Sequence, residues 1–140
     1  MKYWDSSALV PLFVQQAKTS AVRRLLGEDP DVVSWWVTST ECASAILRLS
    51  REGSLTDAQV SLALQRLRSQ QAGWRDVMPS DSLRSLAERL LRVHTLRAAD
   101  ALQLAAALAA CAQDPDRLPF VCLDDRLRAA AAREGFRLAP

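Results

Sequence analysis

The chain reads as an α/β fold of three layers, a central mainly parallel sheet with helices on both faces. Short apolar segments rich in β-branched and aromatic residues, Lys2–Trp4 (KYW), Val32–Val37 (VVSWWV) and Phe120–Leu123 (FVCL), alternate with longer stretches of helical spacing. Strands joined through helices imply crossovers, and therefore parallel pairing with both faces covered. The length of 140 residues, 49% hydrophobic and 24% charged, is that of one folded domain, so residues 1–140 are read as a single unit.

Taken in order, strand Lys2–Trp4 is followed by a helix over Ser7–Gln16, with Pro11 near its first turn. Thr19–Leu26 is a second helix, closed by Gly27 as its C-terminal cap. Val32–Val37 is a buried strand. Its adjacent Trp35 and Trp36 point to opposite faces, and with helices on both faces each is expected in the core. Ser39–Arg51 is helical and ends at Gly53, and Thr56 caps a helix from Asp57 to about Ala72. A brief strand at Asp76–Met78 precedes helices Ser82–Val93 and Arg97–Ala112. Phe120–Leu123 is the fourth strand, Asp125–Glu134 a helix and Phe136–Leu138 a final strand.

Several chemistries are disfavoured at once. Cys42, Cys111 and Cys122 are odd in number and show no C-x-x-C spacing, which argues against a disulfide framework or a zinc knuckle and for core cysteines. His94 stands alone and no G-x-S-x-G elbow is present, which disfavours a Ser-His-Asp triad. The glycines, at 27, 53, 73 and 135, form no nucleotide-binding loop. No apolar run approaches the roughly 20 residues of a membrane span, and MKYWDSSALV lacks the shape of a signal peptide, so a cytoplasmic location is expected. The net charge of +2 decides little, although all basic residues except Lys2 and Lys18 are arginine, whose planar fork suits phosphate.

The acids are more informative. Asp5 ends the first strand, Asp124 the fourth, Glu41 opens the helix after the second strand, and Asp100 lies near the start of an Ala-Leu helix. Each has a plain structural reading. Asp5 and Asp124 suit N-caps, Thr38 and Glu41 have capping-box spacing, and Asp100 complements a helix dipole. Jointly they suggest more. Strand carboxyl ends line one edge of a parallel sheet, where ligands bind, and Asp100 heads a helix too apolar for an unpaired charge. Converging carboxylates call for a cation, and hard oxygen donors suit Mg²⁺ or Mn²⁺.

The blocks YWDSSALV (3–10), TSTECASAILR (38–48), LRAADALQLAAAL (96–108) and FVCLDDRL (120–127), in this order and at these spacings, resemble the PIN-domain ribonucleases, in particular the VapC-like toxins of type II toxin–antitoxin pairs. The resemblance implies a PIN-like fold and a metal-dependent endoribonuclease that hydrolyses RNA phosphodiester bonds. Its catalytic acids fall on Asp5, Glu41, Asp100 and Asp124, and the Mg²⁺ (or Mn²⁺) ligands on Asp5, Asp100 and Asp124. Ser7 matches a small polar residue that supports the site. Cys122 stands where the family commonly has Thr or Ser, and a thiol donates less well than a hydroxyl. Asp125 follows Asp124 directly and competes with it for the fourth role. Arg48, Arg97 and Arg126 are candidates for phosphate contact, each with a plain surface role as the alternative. The resemblance further implies a cognate antitoxin and a homodimer. Two rivals stand beside it: a catalytically silent PIN-like interaction module, which loss of an acid would have signalled, and an aspartyl-phosphate phosphohydrolase, disfavoured because Ser7 occupies the place of its second aspartate.

Overall fold

Strand β1 (Lys2–Trp4) is the middle of a five-stranded sheet in the computed structural model, which describes residues 1–140. On one side lie β2 (Val32–Trp35) and then β3 (Arg75–Val77); on the other lie β4 (Phe120–Val121) and then β5 (Leu138–Ala139). Every pairing is parallel. Strand alternation divides the side chains between two cores. Tyr3, Val33, Trp35 and Phe120 face α5 (Asp81–Val93), α6 (Ala98–Ala110) and α7 (Asp125–Arg133). Trp4, Val32 and Val121 face α1 (Ser6–Phe13), α2 (Thr19–Glu28), α3 (Thr38–Arg51) and α4 (Asp57–Gln71). This is the three-layer arrangement expected from the alternation of strands and helices.

Burial explains why these helices hold. Leu9, Ile46, Leu90, Leu104 and Leu127 are almost wholly enclosed, and each contributes roughly 2 kcal/mol by leaving water. The alanines 105–107 of α6 are fully buried, and their small side chains let that helix lie close against the sheet and α5. Caps set several boundaries: Thr56 and Gln59 form a reciprocal capping box on α4, and Ser80 accepts the Leu83 N–H to start α5.

Some local expectations fail, each for a physical reason. Helix α1 stops at Phe13, short of Gln16, and Pro11 lies in its second turn. The Thr19 hydroxyl donates to the Pro11 carbonyl (2.8 Å) and accepts from Gln16 N–H (2.8 Å), which satisfies the helix end without a further turn. Gly27 is not a cap. It lacks the left-handed φ of Gly53 (79°) or Gly135 (96°), and α2 continues to Glu28. Strand β2 ends at Trp35, so alternation does not carry into Trp36, which is 51% exposed in the turn before α3. Phe136 is a core ring tilted against Phe120 rather than the start of a strand, and β5 follows it at Leu138. A short 3-10 turn at Pro115–Arg117 had no clear sequence signal.

All three cysteines are free and buried, as their spacing implied. His94 closes α5, and its Nε2 lies 2.6 Å from Glu134 Oε1. No helix is long and apolar enough to cross a membrane.

Candidate active site

Four helix starts meet at the carboxyl edge of the sheet, and each carries one acid. Asp5 leaves β1 and caps α1, Glu41 is in the first turn of α3, Asp100 in the first turn of α6, and Asp124 caps α7. The positive ends of these helices offset part of the mutual repulsion of the acids. Asp5 and Asp124 follow neighbouring strands β1 and β4, whose chains then depart to opposite sides of the sheet; this is the switch point where parallel sheets open a crevice. All four acids line one cleft of about 500 Å³, together with Ser7, Arg48 and Gln103.

The capping readings hold for two of the acids without removing them from the cleft. Asp5 Oδ2 accepts from the Ser7 N–H (2.9 Å) and hydroxyl, and Asp124 Oδ1 accepts from the Leu127 N–H (2.9 Å). Asp100 Oδ2 accepts a longer bond from the Arg97 N–H (3.3 Å). The Thr38–Glu41 capping box does not form, because α3 begins at Thr38 itself and both side chains turn to Gln103 Nε2, Thr38 Oγ1 at 2.9 Å and Glu41 Oε2 at 2.7 Å. In each acid the hydrogen bonds of normal geometry thus fall on a single carboxylate oxygen. No carboxylate oxygen of the four is sealed from solvent without a partner, and the Ser6 side chain gives Glu41 a further bond.

The electrostatics of this arrangement are unbalanced. None of the chain's ion pairs involves these acids. Burial raises the pKa of Asp5 above the usual carboxylate range, and bonds from Ser7 and Cys122 oppose that shift only in part. Glu41 is raised as well, chiefly by burial and further by the charges of Asp5 and Asp100, while the Gln103 bond pulls the other way. Carboxylates that converge on one cleft without an ion-pair partner match the needs of a hard dication. No three acidic, histidine or cysteine side chains are gathered tightly enough to cage an ion by themselves. The donor set therefore fits an ion that keeps much of its water and takes one or two carboxylates, which is the habit of Mg²⁺.

The supporting residues are placed unevenly. Ser7 donates its hydroxyl to Asp5 and accepts the Leu123 N–H (2.9 Å), tying the β1 end to the chain after β4. The Cys122 thiol lies 3.6 Å from Asp5 Oδ2 and from Ser7 Oγ, at the site expected of a hydroxyl donor. Burial, and then the Asp5 charge, push the thiol's pKa upward, so it serves as a weak neutral donor. Asp124 lines the cleft and Asp125 does not. Of the three arginines, only Arg48 contributes to the lining; Arg97 and Arg126 are exposed outside it.

Gln103 is the functional residue that sequence reasoning missed. Only 1% exposed, it joins Glu41 and Thr38 on one side and Tyr3 on the other. A signal existed: an amide in LQLAAA is as anomalous in an apolar helix as Asp100, and it lies one turn further along the same face.

The sheet order and the acid-lined edge define a PIN-like α/β protein. No protein-family model matches the chain. The ribonucleases VapC45 and VapC49 of Mycobacterium tuberculosis (strains CDC 1551 / Oshkosh and ATCC 25618 / H37Rv) are each 31% identical to it over 138 residues, covering 99% of this chain and 94% of each relative. The chain belongs to the VapC ribonuclease family. Among solved structures, M. tuberculosis VapC20, a sarcin-ricin loop cleaving toxin, superposes with a TM-score of 0.70 at 21% identity, over 100% of both chains. A toxin–antitoxin complex from Klebsiella pneumoniae does so at 0.63 and 17% identity, over 92% of this chain and 91% of that one. These two likenesses concern the fold.

Proposed function

We propose that this chain is a metal-dependent endoribonuclease that hydrolyses RNA phosphodiester bonds, and that it is the toxin of a toxin–antitoxin pair. The observation that carries the reading is the single cleft lined by Asp5, Glu41, Asp100 and Asp124, none of them in an ion pair. Of Asp5, Asp100 and Asp124, one or two would hold Mg²⁺ or Mn²⁺ directly and the remainder through its bound water. Bound there, the ion would lower the pKa of water and offset charge on the scissile phosphate and leaving oxygen. Glu41, not needed as a ligand, orients the attacking water and accepts its proton; the burial that raises its pKa makes it a better base. Arg48, at the cleft wall, contacts a phosphate of the RNA. Family membership supports RNA as substrate, and the fold neighbour solved as a toxin–antitoxin complex supports an antitoxin as partner; a homodimer is the proposed working form.

The direct test incubates purified protein with a structured RNA pool, with Mg²⁺ or with EDTA, and sequences the cut ends. Cleavage should need the ion and disappear in Asp100→Asn. Cleavage that persists in EDTA would refute the metal assignment, and a folded wild type that never cleaves would favour the silent interaction module.

A further inference from the structure

Glu41 is the least anchored of the four acids by its own backbone. It caps nothing, and besides a bond from the Ser6 side chain it is held by a hydrogen bond from another layer of the fold, that from Gln103. That bond belongs to a buried chain of polar groups that crosses the sheet edge. The Tyr3 hydroxyl on β1 donates to Gln103 Oε1 on α6 (2.7 Å), and Gln103 Nε2 donates to Glu41 Oε2 (2.7 Å) and Thr38 Oγ1 (2.9 Å) on α3. Tyr3 and Thr38 are wholly buried and Gln103 nearly so, which leaves water little room to replace a missing partner at the Tyr3 and Thr38 ends.

We infer that Gln103 is a positioning residue that sets the carboxylate of Glu41 toward the cleft, through a relay anchored at Tyr3. This inference rests on the ribonuclease reading of the same site. The polarity of the relay is forced. If the amide were turned over, Gln103 Oε1 would face the Glu41 carboxylate, oxygen against oxygen. Tyr3 meets the amide from its other end, its hydroxyl donating to Oε1 from a fixed place on β1. Both amide hydrogens are engaged, one on the acid and one on the threonine, so the amide has no rotational freedom left. Glu41 therefore presents Oε1 to the cleft with Oε2 held from behind. Gln103 also lies one turn beyond Asp100, so one helix supplies an acid directly and orients a second indirectly.

The test compares wild type with Gln103→Met, which keeps the length and loses the donor, with Tyr3→Phe, and with Gln103→Met in a Glu41→Gln background. Cleavage kinetics are measured with Mn²⁺ affinity by calorimetry, and the Gln103 side-chain amide is followed by NMR. In Gln103→Met, kcat should fall by about 10- to 100-fold, the range for losing a group that orients a site residue, while KM and Mn²⁺ affinity hold. Tyr3→Phe should give a smaller fall in kcat. Gln103→Met should add nothing once Glu41 is already Gln, because both changes act on the same group. An unchanged kcat in folded Gln103→Met overturns the inference, and so does an equal fall in both backgrounds, which marks a merely structural loss. Should Gln103→Met not fold, Tyr3→Phe and the amide signals decide. In wild type the amide protons should be shifted and protected from exchange, and Glu41→Ala should abolish both effects for the one proton that Glu41 engages; an exchanging, unshifted amide overturns the relay. A wild type that cuts no RNA defeats the ribonuclease reading, and the amide signals still decide whether the relay exists.

Discussion

Replacing Asp124 by asparagine or by alanine should yield two proteins that are equally inactive and unequally stable. The carboxylate caps α7 through one oxygen, Oδ1, at 2.9 Å from the Leu127 N–H, and lines the cleft with the acids of three other elements. Asparagine caps helices about as well as aspartate, so Asp124→Asn keeps the bond to Leu127 and removes the charge. Alanine removes both, and loss of an N-cap costs about 1 kcal/mol. For a chain of this size that is a Tm difference of about 4 °C between the variants. The asparagine variant itself should lie close to wild type in EDTA. It loses a few tenths of a kcal/mol of charge–dipole attraction at the start of α7 and gains relief from repulsion by neighbouring acids. Cleavage should drop by about a hundredfold or more in both, the scale for removing one group that stabilises transition-state charge. Melts in EDTA by circular dichroism, with cleavage of labelled RNA in Mg²⁺, separate the two roles. Equal melting of the two variants would refute the capping role. Full cleavage by Asp124→Asn would refute the catalytic one and, if Asp125→Asn were then inactive, move it to Asp125.

Three further outcomes follow from the site. Asp100→Asn should melt above wild type in EDTA, since a charge leaves a repulsive cleft, while Mg²⁺ should raise the melting temperature of wild type only; the reverse order would make Asp100 structural. Asp5 and Glu41 have raised pKa values, so the folded state holds their protons more tightly than the unfolded state. Their contribution to stability is therefore lost as pH rises from the ordinary carboxylate range through the raised values, and in EDTA Glu41→Gln should gain on wild type as pH rises through that window. A difference between the two that is flat with pH would contradict the shift. Light scattering at micromolar concentration should report a homodimer, and a monomer alone would count against that form.

Much of this protein was legible in its sequence because the deciding signals are local. Apolar runs of strand length separated by helical stretches predict a mainly parallel sheet between two helical layers. The acids that end β1 and open α3, α6 and α7 were recognisable because an acid at a strand's carboxyl end, or heading an apolar helix, is conspicuous. What the sequence did not decide involves groups brought together from afar. Whether Thr38 and Glu41 cap their own helix or turn to Gln103 depends on α6, more than sixty residues away, docking across the sheet edge. Trp36 leaves the core because β2 stops two residues earlier than its composition suggests, and strand length is set by pairing with β3. Which of Asp124 and Asp125, identical in side chain and adjacent in sequence, lines the cleft is decided by which of them caps α7 at the end of β4. A side chain's type and spacing are properties of the chain, whereas its partner and its burial exist only once distant segments have packed; that is why the four acids could be named from sequence and the relay that holds Glu41 could not.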